Sequence, residues 1–322
     1  MAALTRSTTT TRRRSGTRIL ARIVGASSNL RLAEALWAYV FLLPWLFGLL
    51  LFWGGPILAS LFFSFTRYDV LSPPAFIGLE NFRDALFVDE LVWPSLGRTF
   101  TFSLAVIPIS LVGSLVLAML LNRGLRGTNA YRTLFFLPSL TPAVATALLW
   151  QWVLHPTIGP VNAGLGAIGI KGPGWLTSAD WALPALVIMS LWNSIGSNRM
   201  LIFLAALQGV PEQLLEAAQI DGAGTWAKFR HVTLPMISPS ILFNLVMGVI
   251  GALQVFVSAF VTTQGGPSYA TWFFALHIYN QAFKYFRMGY GSALAWMFVV
   301  ILLFFTWLQM NYSRRWVYYE TE

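Results

Sequence analysis

Long stretches without a charged side chain dominate this chain of 322 residues. Stretches of 24 residues or more that contain no Asp, Glu, Lys or Arg lie at 35–66, 99–122, 133–170, 232–283 and 288–313. A helix that crosses the hydrocarbon core of a bilayer needs about 20 predominantly apolar residues. The distribution of charge therefore predicts several membrane-spanning helices.

The composition agrees with a membrane location. Hydrophobic residues make up 57% of the chain and charged residues 10%, with a mean hydropathy of +0.65, whereas soluble domains carry about 25% charged residues. The chain has no cysteine, which excludes disulfides and thiol catalysis. A net charge of +9 would suggest nucleic acid in a soluble protein. Here most basic residues flank apolar stretches, so we expect membrane topology and no nucleic-acid partner.

Two of the apolar stretches are too long for one helix. Pro156 ends the helical part of one, and the Gly- and Pro-rich residues 157–174 predict an external loop. The longest stretch is broken at 264–268, so its helix should end near Thr262, and 272–283 should be an interfacial segment at the external mouth. The predicted fold class is an all-α membrane protein with six transmembrane helices, centred near residues 50, 110, 143, 195, 249 and 300.

The orientation of these helices follows from the basic residues. Six spans place both termini on one side, which would hold fourteen Lys and Arg residues against six on the other. The positive-inside rule then puts both termini in the cytoplasm. We expect a disordered cytoplasmic tail at 1–33 that can touch anionic lipid, a transmembrane domain at 34–316 and a cytoplasmic tail at 317–322.

The segment 209–235, between the fourth and fifth predicted helices, has the pattern of two short helices joined by a glycine turn. Pro211 suits the first position of a helix, and Gly222 ends that helix. Thr225 is expected to cap a second short helix that ends before Pro235. Two interpretations remain open on physical grounds, a surface connector or an element that docks in a groove of another protein.

The same segment carries Glu216-Ala217-Ala218, Asp221-Gly222-Ala223 and Leu234-Pro235. The order and spacing of these motifs resemble the EAA loop of binding-protein-dependent ABC importer permeases. Further stretches are similar to the carbohydrate-uptake branch of that family, which includes the maltose-type permeases, and lie at 131–138, 206–208, 265–267, 278–283 and 289–293. The resemblance extends from about residue 36 to the C-terminus.

The resemblance implies that 209–235 is a cytoplasmic coupling-helix loop that fits a cleft on a separate ATPase. The implied coupling residues are Glu216, Ala217, Ala218, Asp221, Gly222, Ala223, Leu234 and Pro235. Glu216 would face the ATPase, and Gly222 would permit the turn. Closure of the ATPases on ATP would switch the pathway between outward and inward access, and would move a sugar or related polyol-type solute into the cell.

The implied assembly contains several other chains. No Gly-x-x-x-x-Gly-Lys-Ser/Thr phosphate loop occurs in the sequence, so we expect a transport subunit that is not an enzyme, with ATP and Mg on the partner ATPase. The implied partners are a second, related permease, two ATP-binding subunits and an extracytoplasmic solute-binding protein. The implied location is the plasma membrane of a prokaryote.

Polar groups inside spans are costly and therefore mark candidate solute contacts. In maltose-type permeases the fourth and fifth helices supply much of the sugar site, and uncharged amides suit solutes rich in hydroxyl groups. The candidates on these helices are Asn193, Ser197, Asn198, Arg199, Gly251 and Gln254. The other interpretation is that these groups form hydrogen bonds between helices.

Arg199 departs from the apolar character usual at this point of the family. It would bind an anionic solute, line a wet cavity, pair with a helix end, or extend its side chain to the cytoplasmic interface. The first of these roles would make the chain a permease for glycerol-phosphate or another anionic sugar derivative.

Two other classes of membrane protein fit the sequence less well. An ion-coupled secondary transporter normally carries acidic residues inside its spans, and none of the predicted spans has one. A membrane enzyme is disfavoured because the chain has no His-Glu-x-x-His motif. The first external loop instead holds acidic residues that either meet a solute-binding protein or are solvated, namely Asp69, Glu80, Asp84, Asp89 and Glu90.

Overall fold

The computed structural model describes residues 29–124 and 127–318, with side chains from residue 34 onward. Most of the predicted N-terminal tail, 1–28, and the last four residues of the predicted C-terminal tail, 319–322, lie outside the described residues. The first helix begins at Asn29, five residues before the expected start of the transmembrane domain.

The chain forms two compact units, divided after Phe62. The first contains helix α1 (Asn29–Leu49), a π-helical turn (Leu50–Gly54) and all but the last two residues of helix α2 (Gly55–Ser64), which together make one apolar helical stretch. The switch to π-helical bonding precedes Pro56, which has no N–H to donate to a carbonyl four residues back. Its apolar side chains are exposed, as expected for a helix that faces lipid.

The second unit is also mostly helical. Strand β1 (Thr66–Arg67) pairs antiparallel with β2 (Ala75–Phe76) in a two-residue ribbon. The helices before residue 209 are α3 (Glu80–Phe87), α4 (Val92–Leu121), α5 (Thr128–Leu140), α6 (Ala143–Val153), α7 (Pro160–Ala167), α8 (Ala179–Ile195) and α9 (Asn198–Gln208). The later helices are α10 (Glu212–Ile220), α11 (Thr225–Lys228), α12 (Leu234–Met236), α13 (Ser238–Leu253), α14 (Val257–Thr262), α15 (Phe274–Tyr279) and α16 (Met288–Ser313), with π-helical turns at Phe229–Thr233 and Asn280–Lys284.

The predicted all-α membrane class is confirmed. Within the described residues, four helical stretches are long and apolar enough to cross a membrane, and two bent pairs raise that number to six. The four are Glu34–Ser64, Val92–Leu121, Ser238–Thr262 and Met288–Ser313. The bent pairs are α5 with α6, at 97°, and α9 with α10, at 62°.

The third and fourth predicted helices are not continuous. The third bends between α5 and α6, because Pro142 holds the preceding Thr141 in an extended conformation that no helix accommodates. The fourth was expected to be centred near residue 195, where the structure instead separates α8 from α9. A side chain at Gly196 would overlap the carbonyl oxygen of Phe135, so glycine allows the chain to cross α5 closely at this break.

Helix α4 lies at the centre of the second unit. Its side chains enter all three apolar clusters, with Leu96, Phe102 and Ala118 each buried in a different one. Small buried residues, among them Ser110 and Ser114, lie between these anchors and let α8, α9 and α13 pack closely against it. Close packing of small residues drives helix association where lipid is as apolar as the side chains.

Two predictions for the external side need correction. Residues 157–174 are not a plain loop, because Pro160 starts the short helix α7 within them. Residues 272–283 were expected at the membrane interface, yet Phe273 and Phe274 are fully buried. The Phe273 ring packs against Phe102, with ring centroids 5.2 Å apart, and the Phe274 N–H donates to Thr99 Oγ1 at 2.9 Å, so this segment belongs to the core.

Candidate functional site

A cavity of about 360 Å³ lies between α4, α6, α8, α9, α13 and α14. Its polar lining residues are Ser110, Thr146, Ser190, Asn193, Ser194, Arg199, Gln254 and Ser258. Its apolar lining includes Phe102 and Phe256, whose rings offer flat surfaces. Such a concave surface with a few convergent polar groups is the usual form of a small-molecule site.

The structure brings four of the six predicted pathway residues to this cavity, namely Asn193, Arg199, Gly251 and Gln254. Ser197 and Asn198 lie outside its lining. Ser197 instead caps α9, since its Oγ accepts from the Arg199 N–H at 3.4 Å and donates to the Ser194 carbonyl at 2.7 Å. Asn198 is the exposed first residue of α9.

Two helix breaks border the cavity. The first lies at residues 196–197, between α8 with Asn193 and α9 with Arg199. The second lies at 254–256, between α13 and α14, and leaves Gln254 exposed in the cavity. Irregular backbone at membrane depth is tolerated where it lines a cavity, because its polar groups then meet water or solute. Both breaks therefore favour a polar pathway at this place.

Two cavity atoms lack a hydrogen-bond partner among the described residues. They are Thr146 Oγ1, on a side chain only 7% exposed, and Asn193 Oδ1. A buried polar atom without a partner is costly, so most such atoms in native proteins are paired. Both atoms have almost no accessible surface, so a solute in the cavity would reach them only if the lining moved.

The Arg199 side chain is fixed in the cavity wall. Its Nη1 donates to Ser110 Oγ, in the middle of α4, and its Nη2 lies where a side chain on Gly248 would point. The guanidinium therefore does not extend to the cytoplasmic end of its helix, as the snorkelling interpretation requires. The structure supports a wet cavity lining instead.

The sequence did not reveal Ser110, Thr146 or Gly248 as cavity residues. Single Ser and Thr residues in an apolar helix usually donate to a carbonyl three or four residues back, as Ser110 Oγ does to Ile107 at 3.1 Å. In the sequence, nothing distinguishes Gly248 from the other small residues that let two helices pack closely. Their role depends on which side chains of other helices lie opposite, and spacing within one helix does not contain that information.

The coupling segment, 209–235, has the predicted turn at Gly222. This residue has φ +82°, and α10 ends in a Schellman motif. The Ala223 N–H donates to the Ala218 carbonyl at 2.9 Å, and the Gly222 N–H donates to the Gln219 carbonyl at 3.0 Å. A side chain at position 222 would meet nothing within 4 Å, so conformation and not space requires glycine here.

The second half of the segment differs from the prediction. Thr225 is the first residue of α11, and Gly224 is its cap. The helix does not end before Pro235 but continues through the π-helical turn 229–233 into α12. Pro235 fits there because the i→i+5 pattern of the preceding turn does not need its missing N–H. Lys228 Nζ donates to Gln219 Oε1 at 3.1 Å and joins the two halves.

The coupling segment exposes apolar and acidic side chains together. Glu216 is exposed, Ile220 is 87% exposed and Trp226 is 69% exposed. Its two ends are anchored, because Val210 and Ile237 pack into the same apolar cluster at the end of α4. Helix α9 runs directly from Arg199 to the coupling segment, so about 14 Å of continuous helix connects the cavity to that segment.

A second polar cluster holds the external end of the unit together. Asp89 Oδ2 accepts from Tyr290 O–H at 2.8 Å and lies 3.0 Å from Nε2 of the buried His277. The Trp272 indole N–H, which only donates, points at His277 Nδ1 at 3.1 Å. This assigns the ring as neutral with its proton on Nε2, donating to Asp89.

The pKa directions of this cluster agree with that assignment. Burial lowers the pKa of His277, and attraction to Asp89 opposes the shift without reversing it. Burial raises the pKa of Asp89, but hydrogen bonds from the Leu91 N–H and from Tyr290, together with the interactions with His277, outweigh it and leave the pKa below its ordinary value. Of the acids predicted either to meet a solute-binding protein or to be solvated, Asp89 belongs to this cluster and Glu80 pairs with Arg67 at 3.3 Å.

Comparison with known proteins identifies the family. Residues 110–318 match the model of the binding-protein-dependent transport system inner membrane component. The chain belongs to this family. The match spans the coupling segment and all of the cavity lining except Phe102, Val106 and Ile107, and it confirms the family inferred from the EAA motif.

Individual relatives of this permease agree. It is 42% identical over 288 residues to the probable ABC transporter permease protein YesP of Bacillus subtilis, which covers 88% of this chain and 92% of that protein. It is 32% identical to the trehalose/maltose transport system permease protein MalF of Thermococcus litoralis, over 89% of this chain and 97% of that protein. These relatives are transport permeases, and the chain is a multi-pass ABC transporter permease.

The fold of this permease matches solved structures of a bacterial ABC transporter that imports the acidic polysaccharide alginate. The TM-score is 0.78 at 25% identity, over 88% of this chain and 97% of that chain. A second structure shows that transporter in complex with an alginate pentasaccharide-bound periplasmic protein, again with a TM-score of 0.78. The likeness supports a binding-protein-dependent importer fold.

Proposed function

We propose that this chain is the transmembrane permease subunit of an ATP-driven importer that moves a sugar or a related polyol-type solute by alternating access. The cavity between α4, α6, α8 and α13 is the observation that carries this proposal. Its amides at Asn193 and Gln254 suit a hydroxyl-rich solute, and the Phe256 ring suits the apolar face of a sugar. The relatives named for trehalose, maltose and alginate support this class of solute.

The solute contacts we propose follow from this cavity. Asn193 and Gln254 would donate to and accept from sugar hydroxyls, and Gly251, whose position leaves open space, would admit the ring. Ser197 and Asn198 would act on the solute only indirectly, by setting the start of α9 and thereby the position of Arg199.

The coupling segment would transmit the work of ATP. The exposed Glu216, Ile220 and Trp226 form a surface that suits a cleft on a separate ATPase, and α9 would carry its movement to the cavity. Ala217 and Ala218 keep α10 slender enough to enter such a cleft. The residues Glu216, Ala217, Ala218, Asp221, Gly222, Ala223, Leu234 and Pro235 are the proposed coupling set, with ATP and Mg bound by the partner.

The assembly would contain a second, related permease, two ATP-binding subunits and an extracytoplasmic solute-binding protein. Six spans are few to enclose a solute pathway, which supports a second permease. The exposed apolar side chains of α1 and α2 suit lipid or a neighbouring membrane helix. Basic residues flanking the spans support cytoplasmic termini and a location in a prokaryotic plasma membrane.

Purification of the permease with its native partners tests this function. The complex would be reconstituted in proteoliposomes with its solute-binding protein, and ATP hydrolysis and uptake would be measured over a panel of saccharides and polyols. We expect a double variant, Glu216→Gln with Gly222→Ala, to lose ATP-driven uptake while it inserts and assembles normally. Glu34→Gln is the matched control, since Glu34 is exposed and lies far from this segment in sequence.

Three results would each contradict one part of the proposal. Normal uptake by the double variant would remove the coupling role of the segment. Failure of any ATPase to co-purify with the wild-type chain would remove the importer itself. A wild-type complex that hydrolyses ATP with binding protein but accepts no saccharide or polyol would remove the solute class alone.

A further inference from the structure

The cavity contains a cation that no acidic side chain neutralises. Among its described lining residues, only Arg199 carries a charge. Within the part of the chain that the structure describes, the ion pairs are Arg67 with Glu80 and His277 with Asp89, and neither includes Arg199. A charge inside a membrane protein is normally paired or faces a pathway that supplies its partner.

The position of Arg199 makes this charge more costly still. It is the second residue of α9, where the helix dipole is positive and disfavours a cation. Its one hydrogen-bond partner from another helix is the neutral hydroxyl of Ser110. A guanidinium has five N–H donors, so most of its hydrogen-bonding capacity remains available to a group in the cavity.

The surrounding residues hold the guanidinium at the cavity wall. Ser110 on α4 fixes one side, and Gly248 on α13 leaves the space that the other side occupies. A Cβ atom at position 248 would lie 3.0 Å from Arg199 Nη2, so only glycine accommodates this position of the guanidinium without displacing it. The arrangement is a preorganised site for a planar anion, which a guanidinium binds through paired hydrogen bonds.

We propose that the cavity selects saccharides that carry a carboxylate, with Arg199 as the residue that determines specificity. The inference rests on the proposed sugar-importer function and names the solute class of the same cavity. The carboxylate would pair with the Arg199 guanidinium. The Gln254 side chain, which is exposed in the cavity, would bind hydroxyl groups of the same solute.

Charge balance favours a carboxylate over a phosphate. A phosphate monoester carries about 1.5 to 2 negative charges at pH 7, whereas a uronate carries one. One guanidinium neutralises a uronate, and the cavity has no second cation among its described lining residues. A sugar phosphate would therefore enter with part of its charge unpaired in a site walled by Phe102, Val106 and Phe256.

The test uses the reconstituted importer with its solute-binding protein. Short oligosaccharides that contain a single uronate residue (glucuronate, galacturonate, mannuronate or guluronate) are each paired with their carboxyl-reduced neutral counterparts, and glucose 6-phosphate is a separate arm. ATP-driven uptake is compared in wild type, Arg199→Gln and Arg199→Lys. Because the binding protein is the same throughout, a difference between variants reports the permease and not the capture step.

We expect the wild type to take up at least one uronate oligosaccharide. Arg199→Gln should lower that uptake by about tenfold or more, as expected for the loss of a charge-assisted hydrogen-bond pair, and Arg199→Lys should retain an intermediate rate. Uptake of the carboxyl-reduced counterpart should fall by a smaller factor, since it loses only a neutral contact with the guanidinium. Arg123→Gln removes one positive charge from an exposed position just after α4 and is the matched control.

A second variant protects the test against misfolding of Arg199→Gln. Gly248→Ala keeps every charge and displaces only the end of the Arg199 side chain. It should lower uptake of the uronate oligosaccharide selectively, though less than Arg199→Gln does.

An Arg199→Gln importer that accepts the acidic solute at the wild-type rate would overturn the inference. So would a wild type that takes up only neutral saccharides, or one whose uptake of glucose 6-phosphate depends on Arg199. Absence of an associated ATPase would instead refute the proposed function itself.

Discussion

Gly222 and Gly224 allow the same substitution to be made twice, with opposite expected results. Both residues lie in the turn between α10 and α11, and at neither would a Cβ atom meet anything within 4 Å. They differ in conformation, since Gly222 has φ +82° and Gly224 has φ −68° with ψ 172°. Alanine at position 222 must adopt a left-handed conformation, whereas alanine at position 224 stays in an extended one.

The expected magnitude follows from this difference. An L-residue in the left-handed region costs roughly 1–2 kcal/mol. Alanine at position 224 meets no such penalty and stabilises the turn by about 0.4–1 kcal/mol, because it restricts the unfolded chain. A loss of 1–2 kcal/mol at position 222 corresponds to roughly a 5- to 30-fold fall in the ratio of native to altered turn. The Schellman bonds from Gly222 and Ala223 are the contacts that would be lost.

The assay measures uptake and ATP hydrolysis together in proteoliposomes. We expect Gly222→Ala to lower ATP-driven uptake, by up to about 5- to 30-fold, the limit that applies when the altered turn is already populated comparably with the native turn. Gly224→Ala should transport at the wild-type rate. Gly222→Asn should recover part of the loss, because asparagine adopts the left-handed region more readily than alanine. Membrane insertion should be equal in all three variants.

Equal uptake by Gly222→Ala and Gly224→Ala would refute the reasoning. That result would mean that the turn at Gly222 does not set the geometry of the docking surface. Equal losses in both variants would also contradict it, since the cause would then be added bulk at the interface and not backbone conformation.

Two further predictions concern the rest of the second unit. Gly196→Ala should lower the midpoint of thermal unfolding of the purified permease by several degrees, because a side chain would overlap the Phe135 carbonyl. Gly97→Ala is the control and should leave the midpoint unchanged, since a side chain there has open space. An unchanged midpoint in Gly196→Ala would contradict the close crossing. Acid should loosen the external cluster. The folded-state pKa of His277 is lowered, so the native state binds protons less well than the unfolded chain does. Protection of residues 272–283 from hydrogen exchange should therefore be full above pH of about 6.5 and should fall below that pH. The lowered pKa of Asp89 acts in the same direction at more acidic pH, and His277→Gln should flatten the part of the response that begins just below pH of about 6.5. Protection that rises on acidification would show that the assigned neutral ring is wrong.

The sequence by itself determined the membrane class and the coupling turn of this protein. Both are encoded locally, the first in uncharged stretches long enough to span a bilayer and the second in a glycine that alone adopts the required φ without strain. The order of motifs around Glu216 also carried the family. These properties depend on neighbours along the chain, which is what a sequence displays.

The tertiary structure alone decided which side chains share the cavity. Thr146 and Asn193 lie 47 positions apart in sequence, and only the 97° bend before α6 and the break after α8 bring both to one wall. Arg199 had four open roles until Ser110 and Gly248 were found beside it. The burial of 272–283 likewise depended on Phe102 and Thr99, which lie on α4. Contacts between distant helices are set by packing and crossing geometry, and the pattern within a single helix does not specify them.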